Sequence, residues 1–320
     1  MENLENTIVQ SKSILSIQSH VVHGYVGNKA STFPLQMLDW DVDVLNTVNF
    51  SNHTGYGDLK GVCSTGDELI NIYKGLKQID IKYDAVLTGY VHGFDTLEAV
   101  GKICLDIRNR GKRNGNQVTW LLDPVMGDEG VLYVEKNVIP IYRQILDSQQ
   151  VDIATPNQYE LELLLDCKIV CIESLKQALK LFHDKYKVKH IVLSSLFAEL
   201  FEDLDGGPET IYCCVSSLDI LDHIVFYRID KIPGYFTGVG DMFSALLLDR
   251  LIKSQDIIIS VNEVLTVMKN VLTVTKELGK TSGKIGDKNM KDCELRVIEC
   301  KNFYEKHNAV YDPIYIKRTL

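Results

Sequence analysis

Short apolar runs alternate with amphipathic segments along the first two thirds of the chain. Several runs are nearly continuous in apolar residues, which is typical of parallel strands covered on both faces. The predicted strands lie at 13–19, 41–48, 83–90, 118–125, 151–155 and 190–196. The predicted helices between them lie at about 28–39, 67–78, 96–110, 136–147, 157–165 and 174–186. This alternation predicts a doubly wound α/β fold, with a mostly parallel sheet and helices on both faces.

The pattern changes after the sixth predicted strand. Residues 209–218 and 223–232 predict an antiparallel pair, which we expect to form a small ribbon at the edge of the sheet. Two long helices follow at about 240–253 and 261–279. The sequence shows no internal repeat and no linker rich in Pro or Ser. We therefore expect one domain over residues 1–320, with residues 1–12 as a flexible N-terminal tail.

Composition narrows the classes of function. The net charge of -9 argues against a nucleic-acid partner, because Lys and Arg hold phosphate backbones. No apolar run approaches the ~20 residues of a membrane span, and the first dozen residues contain no secretory signal. We expect a cytoplasmic protein, with the nucleus as a further location, and no membrane partner. Eight cysteines without a Cys-x-x-Cys pair predict reduced thiols, not a disulfide frame or a zinc site.

Two glycine motifs are similar to phosphate-binding fingerprints but do not match them. In "GYVGNKAST", Asn28 separates Gly27 from Lys29, so the Gly-Lys-[Ser/Thr] of a Walker loop is absent. "GVGDMF" lacks the third glycine of a dinucleotide fingerprint and occurs late in the chain. Neither motif predicts its usual nucleotide site.

The stretch "YFTGVGDMFSALLLDRL" is more informative. Gly238-Val239-Gly240-Asp241 stands directly before a long apolar run. Glycines let a backbone turn and approach a ligand closely. A helix that starts here presents free N–H groups, which attract anions. The motif alone leaves two roles open for Asp241, either the N-cap of the helix or a part in catalysis.

Acidic residues also follow the fourth predicted strand. "DPVMGDEGVLY" places Asp123, Asp128 and Glu129 close together in a loop. Magnesium favours several oxygen ligands and often shares substrate phosphates. A surface turn with solvated acids is the alternative. The position of Asp123 at a strand end favours a site.

The stretch "TPNQYELELLL" predicts the start of a helix. Thr155 suits the N-cap, Pro156 the first helical position, and Gln158 closes a capping box. This predicted cap does not involve Asn157 or Glu160. These two residues are three apart and lie on one face of the helix. Glu160 then either complements the helix dipole or holds a metal-bound water near phosphates. The residues alone leave both possibilities open.

Two further pairs of polar residues follow predicted strands. Ser194 and Ser195 offer hydroxyls that suit either a phosphate or a turn. His20 and His23 lie three residues apart, but no third ligand has an evident place, which disfavours zinc.

Six motifs together resemble the pyridoxal kinase family, of the fungal type, within the ribokinase-like superfamily. They are "SIQSHVVHGYVGNKASTFPLQ", "FSNHTGYG", "LTGY", "DPVMGD", "TPNQYELELL" and "GVGDMFSALLL", in this order from about residue 13 to about 300. The resemblance implies ATP-dependent phosphorylation of the 5′-hydroxymethyl group of pyridoxal, pyridoxine and pyridoxamine. It also implies Mg²⁺ or another divalent cation, K⁺ or Na⁺, and a homodimer with one complete site per subunit.

The resemblance implies a role for individual residues. Asp241 would be the general base, beside an anion hole formed by Gly238, Val239 and Gly240. The vitamin-binding residues would be Ser19, Thr54 and Tyr90. The ATP-binding residues would be Asp123, Tyr133, Asn157, Glu160, Ser194 and Ser195. The cation ligands would be Asp128, Asp123, Thr155 and Glu160, with Ser194 helping Thr155 at the monovalent ion.

One departure from the family pattern concerns the anion hole. Val239 stands where the family more often has threonine, so a hydroxyl is missing. One neutral hydrogen bond is worth ~0.5–1.5 kcal/mol, which predicts weakened but not abolished catalysis. Two alternatives remain beside a pyridoxal kinase. One is a ribokinase-like kinase for a hydroxymethylpyrimidine or a sugar, and the other is a non-catalytic vitamin-binding homologue.

Overall fold

The computed structural model describes residues 11–197, 204, 206–280 and 290–318. The strands there are β1 (Lys12–Val21), β2 (Trp40–Phe50), β3 (Gly61–Cys63), β4 (Ala85–Thr88), β5 (Thr119–Leu122), β6 (Gly127–Asp128), β7 (Val131–Leu132), β8 (Ile153–Ala154), β9 (His190–Phe197), β10 (Thr210–Ser217), β11 (His223–Asp230) and β12 (Ile314–Lys317). The α-helices are α1 (Asn28–Met37), α2 (Gly66–Gln78), α3 (Phe94–Arg113), α4 (Val138–Asp147), α5 (Gln158–Leu165), α6 (Ile172–Tyr186), α7 (Val239–Ser254), α8 (Ile257–Lys280) and α9 (Lys301–Tyr304).

Every strand and helix predicted from the sequence is present, with ends displaced by a few residues. Most of the predicted N-terminal tail, residues 1–10, lies outside the described residues. Lys12 already belongs to β1, so the prediction of a tail to residue 12 is wrong at its end. The three short strands β3, β6 and β7 and the C-terminal strand β12 had no prediction, because runs of two to four residues show no periodicity.

The main sheet has ten strands in the order β12-β11-β10-β9-β8-β5-β4-β1-β2-β3. The six strands from β9 to β2 in this order are parallel to one another. This confirms the doubly wound, mostly parallel sheet. The predicted antiparallel ribbon is β10–β11, but it is not the edge of the sheet, because β12 pairs with β11 outside it. At the opposite side, β3 is an antiparallel edge strand.

Two apolar clusters cover the two faces of the sheet. Within β5, the side chains alternate, so that Trp120 and Leu122 belong to one cluster and Leu121 to the other. Helices α2 to α6 contribute to the first cluster, and α1, α7, α8 and α9 contribute to the second. Each fully buried large apolar side chain stabilises the fold by ~1.5–3 kcal/mol. This packing fixes the strand ends on which the polar residues stand.

Helix α8 corrects the expectation that no apolar run approaches the length of a membrane span. Residues Ile257–Gly279 are long and apolar enough to cross a membrane, by length and composition. Most of this stretch is nevertheless buried inside the molecule. Val261, Val264 and Val271 pack in the second apolar cluster. Packing in the core therefore accounts for the apolar character of α8.

Candidate active site

The start of α7 presents backbone N–H groups at the carboxyl ends of the strands. Gly238 is the N-cap and has φ +79°, which is a left-handed conformation. A Cβ atom at this position would lie 2.1 Å from the carbonyl oxygen of Tyr25, so glycine is required for two reasons. The first intrahelical bond runs from the N–H of Met242 to Gly238. The N–H groups of residues 239–241 therefore have no intrahelical acceptor and suit an anion.

Asp241 is not the N-cap of α7, so the capping role considered for it is wrong. It stands at the third helical position, and its Oδ2 accepts the N–H of Gly27 at 2.7 Å. Its side chain is half-buried. Burial raises the pKa of Asp241, and the N–H of Gly27 opposes that rise. A raised pKa makes the carboxylate a better proton acceptor near neutral pH.

Gly27 brings the end of β1 to Asp241. Its φ is +52°, and a Cβ atom there would lie 2.2 Å from the carbonyl oxygen of Ser19. Ser31, one turn into α1, donates its hydroxyl to the backbone carbonyl of Asp241 at 3.0 Å. Sequence reasoning missed both residues, although they belong to the stretch that fails as a Walker loop. Its glycine spacing was the available signal, since it marks a turn that only glycine can make.

Asp123 lies beside the start of α7, directly after β5. Only 6% of it is exposed, and its Oδ2 accepts the hydroxyl of Ser244 at 3.3 Å. Burial raises the pKa of Asp123 well above its usual range, and the charges of Glu160 and Asp241 add to the rise. A Cβ atom on Gly240 would meet Asp123 at an ordinary 3.6 Å. The glycine is therefore not required by the protein's own packing, and it leaves space above a buried carboxyl group.

The cap of α5 differs from the prediction. Asn157 is the N-cap, and it forms a capping box with Glu160. The Oδ1 of Asn157 accepts the N–H of Glu160 at 2.8 Å, and Oε2 of Glu160 accepts the N–H of Asn157 at 2.9 Å. Thr155 instead pairs its hydroxyl with Ser244 at 3.0 Å. The box assigned to Thr155 and Gln158 is therefore wrong, because the helix begins two residues later.

Glu160 and Asn157 also hold the β6–β7 hairpin. Oε1 of Glu160 accepts the N–H of Met126 at 2.8 Å, and Nδ2 of Asn157 donates to the carbonyl of Gly127 at 2.7 Å. Burial raises the pKa of Glu160 to about 8, although three backbone N–H groups oppose the shift. One carboxyl group thus fixes a helix start and a hairpin at once.

The hairpin carries Asp128 and Tyr133. Glu129 and Gly130 both have positive φ, as in the two-residue turns of tight hairpins. Asp128 is half-buried, its Oδ1 accepts the N–H of Glu129 at 2.9 Å, and burial raises its pKa. Tyr133 is exposed, and burial of its hydroxyl together with a hydrogen bond to Tyr235 raises its pKa. The hairpin therefore contacts the segment that precedes α7.

Ser194 and Ser195 form a β-bulge. Leu193 lies opposite Cys214, and Leu196 lies opposite Tyr212, so two serines face one residue of β10. Both serines are half-buried. A bulge re-aims side chains and is frequent next to active sites. The serines extend beyond the end of β8, at the same side of the sheet as Asp123.

The predicted vitamin-binding residues follow three neighbouring strands. Ser19 is buried near the end of β1, and Tyr90 is half-buried after β4. The hydroxyl of Thr47 donates to the carbonyl of Tyr90 at 2.8 Å. Thr54 is exposed and begins the 3₁₀ turn Thr54–Tyr56 after β2. The predicted residues thus lie at the carboxyl ends of the strands, the end of the sheet at which Asp241 contacts Gly27.

The structure also bears on the predicted cation sites. Among the described residues, no group of three His, Cys, Asp or Glu side chains is arranged to hold a metal by itself. Asp123, Asp128 and Glu160 instead offer separate carboxyl groups, and burial raises the pKa of each. Magnesium commonly takes one or two carboxylates and completes its shell with phosphates and water. The donor set fits such a partial site.

Two known proteins are similar to this chain in sequence. No protein-family model matches the sequence. The chain is 45% identical over 311 residues to the yeast protein BUD16 of Saccharomyces cerevisiae, covering 92% of this chain and 96% of BUD16. It is 36% identical over 255 residues to the pyridoxal kinase of Arabidopsis thaliana, covering 77% of this chain and 79% of the relative.

A solved structure is also similar to this chain in its fold. The pyridoxal kinase of Leishmania donovani in complex with ADP and pyridoxine superposes with a TM-score of 0.85 at 32% identity. The superposition covers 96% of this chain and 100% of that one. The same kinase has also been solved with ADP and pyridoxamine, with a TM-score of 0.84.

Proposed function

This chain belongs to the pyridoxal kinase family and phosphorylates B6 vitamers with ATP, and we propose that Asp241 is its general base. The observation that carries the assignment is the half-buried Asp241 carboxylate at the start of α7, held by the N–H of Gly27. It lies beside helix N–H groups that have no intrahelical acceptor. A proton acceptor and an anion site therefore stand next to each other.

The proposed reaction transfers the γ-phosphoryl group to the 5′-hydroxymethyl oxygen of the vitamer. Phosphoryl transfer needs positioning and charge stabilisation more than covalent chemistry. The N–H groups at Gly238, Val239 and Gly240 form the proposed anion hole and stabilise charge on the transferred group. Asp241 accepts the hydroxyl proton. An aspartate suffices because the proton leaves late, when the loose transition state has made it acidic.

The proposed ATP side comprises Asp123, Tyr133, Asn157, Glu160, Ser194 and Ser195. Asn157 and Glu160 act there by fixing the hairpin that carries Tyr133 and Asp128. Asp123, Asp128 and Glu160 would hold the divalent cation, which supplies charge neutralisation at the phosphates when bound. Thr155 and Ser194 would serve the monovalent ion.

The proposed vitamin side comprises Ser19, Thr54 and Tyr90. Pyridoxal, pyridoxine and pyridoxamine share the 5′-hydroxymethyl group, so one position of Asp241 serves all three. We also propose a homodimer with one complete site per subunit, as the resemblance to pyridoxal kinases implies. Sedimentation of the purified protein tests the assembly.

A coupled assay with ATP, magnesium and each vitamer tests the function. A hydroxymethylpyrimidine and a sugar alcohol serve as competing substrates for the related kinase activities. We expect pyridoxal 5′-phosphate from pyridoxal at a higher kcat/KM than any product from the competitors. ATP binding without phosphorylation of any vitamer would indicate a non-catalytic homologue instead.

A further inference from the structure

Glu294 joins three loops at the vitamin side of the site. It is only 7% exposed, and its Oε1 accepts the hydroxyl of Tyr56 at 2.9 Å. Its Oε2 lies 3.6 Å from Nε2 of His23. Its backbone forms an isolated parallel bridge with Thr237, directly before the N-cap of α7. One residue thus contacts the loop after β1, the loop after β2 and the approach to the anion hole.

The carboxylate of Glu294 occupies the space that a side chain at Gly24 would need. Its φ is +101°, and a Cβ atom there would lie 1.8 Å from Oε1 of Glu294. Any side chain at position 24 would therefore displace the carboxylate that Tyr56 contacts. The glycine at position 24 and the hydroxyl of Tyr56 thus both fit the same position of the Glu294 carboxylate.

The turn Thr54–Tyr56 depends on such a contact for its position. None of its residues is buried, so apolar burial contributes little to holding it. It is capped by His53, and it contacts a second 3₁₀ turn, Met290–Cys293. The Tyr56 bond to Glu294 ties the turn to a segment 238 residues further along the chain.

We propose that Glu294 is a positioning residue for the vitamin site, which acts through Tyr56 to hold Thr54 against the substrate. The inference rests on the proposed role of Thr54 in vitamin binding. A contact to the vitamin ring acts alike in the ground state and the transition state. Its loss therefore raises KM for the vitamer and leaves kcat nearly unchanged.

Four variants test the proposal: Tyr56→Phe, Glu294→Ala, Glu294→Gln and the double variant Tyr56→Phe/Glu294→Ala. We expect Tyr56→Phe and Glu294→Ala to raise both KM and Kd for pyridoxal about three- to tenfold, the range of one lost hydrogen bond. The kcat and the KM for ATP should stay within about twofold of wild type. Glu294→Gln should be milder, because its amide oxygen still accepts the tyrosine hydroxyl. The double variant should lose no more affinity for pyridoxal than Glu294→Ala, since the two single changes remove the same hydrogen bond.

Glu299→Gln is the matched control. Glu299 is exposed and lines the same surface cleft of about 430 Å³ as Glu294. Its variant should bind pyridoxal like the wild type. Glu294 variants with a lower melting temperature but wild-type affinity for pyridoxal would show a purely structural role and overturn the proposal. Equal losses for ATP and pyridoxal would overturn it too. A wild-type enzyme that phosphorylates no vitamer would overturn the proposed function together with this inference.

Discussion

The buried acids near the two ends of helix α7 have different surroundings. Near its start, Asp241 and Asp123 lie beside each other, and burial is the largest cause of the raised pKa of each. Two turns later, Asp249 is fully buried and accepts hydrogen bonds from Trp40 at 2.8 Å and Arg250 at 2.9 Å. Lys253 pairs with it at 2.8 Å. Arg250 in turn lies 3.1 Å from Glu263.

The difference separates acids that stabilise the fold through paired contacts from acids that belong to the proposed active site. A buried carboxylate that is paired contributes to a single arrangement of its helices, and removal of a partner is costly. Burial raises the pKa of both acids near the start, and neighbouring carboxylates add to the rise for Asp123, a pattern frequent at functional sites. We therefore expect the start of α7 to carry the proposed chemistry and its later turns to carry the packing.

The largest expected effect is on turnover in Asp241→Asn. The amide oxygen can still accept the N–H of Gly27, so the fold and the melting temperature should be retained. Turnover should fall by ~10²–10⁴-fold, the usual contribution of a positioned base. Binding of ATP and pyridoxal should change little, because the anion hole consists of backbone groups. Steady-state kinetics with calorimetric binding on the same preparation measures both.

A folded Asp241→Asn variant with near wild-type turnover would contradict the role of Asp241 as base. Proton removal would then belong to water or to another group. Ser244→Ala is a useful control at the same helix start, since it removes a hydroxyl beside Asp123 without touching Asp241. We expect it to weaken turnover much less.

Asp249→Asn should show the opposite behaviour, with a loss of stability and no loss of chemistry. The variant keeps the shape of the side chain, but among the described residues it leaves buried Arg250 with Glu263 alone as a carboxylate partner. Breaking a buried ion pair costs ~3–5 kcal/mol of unfolding free energy. Urea unfolding measures this, and active-site titration gives the turnover per folded molecule. A variant as stable as wild type would show that the pairing at this end contributes little.

Glu160→Gln should produce a smaller, mixed effect. Each oxygen of Glu160 accepts a backbone N–H, but a glutamine side chain has only one oxygen, so its NH₂ group leaves one of these N–H groups without an acceptor. A buried N–H left without its acceptor costs ~1–3 kcal/mol of unfolding free energy. We also expect a higher half-saturating magnesium concentration. Glu162→Gln is the matched control, because Glu162 is also buried in α5 but pairs with Lys168 away from the site. An unchanged magnesium titration in Glu160→Gln would leave Glu160 a structural role only.

The raised pKa of Glu160 predicts an unusual pH dependence of stability for the ligand-free protein. The group ionises near its ordinary pKa of ~4.5 when unfolded, but at about 8 when folded. Between these values the folded state binds more protons, so stability falls as pH rises, by at most ~1.4 kcal/mol per pH unit per group. Urea unfolding at pH 5 to 8 should show a decline that Glu160→Gln reduces. A stability that rises over this window in both proteins would contradict the shift.

The strands and helices of the sheet were predicted well because hydrophobic periodicity extends over each whole element, and packing rarely overrides it. The positions of the acids at the strand ends were also predicted, because polar residues directly after buried parallel strands lie at the carboxyl ends of the sheet. The predicted cap of α5 was wrong because Thr155 and Asn157 are both good caps; in the fold Thr155 bonds Ser244, while Asn157 forms the capping box with Glu160 and bonds Gly127. Gly27 and Glu294 escaped prediction since their partners lie over 200 residues away.

The smallest expected effect concerns Val239, the residue that departs from the family pattern at the start of α7. Its side chain is half-buried and packs against the second apolar cluster, so valine has a packing role there. Val239→Thr keeps the branched shape and adds a hydroxyl next to the proposed phosphate position. Turnover should stay unchanged or rise by up to about tenfold, which corresponds to ~1.4 kcal/mol. Val239→Ala, which loses packing without a new hydroxyl, is the control and should not gain. If Val239→Thr lost more than about tenfold in turnover, the apolar contact would matter more than the missing donor.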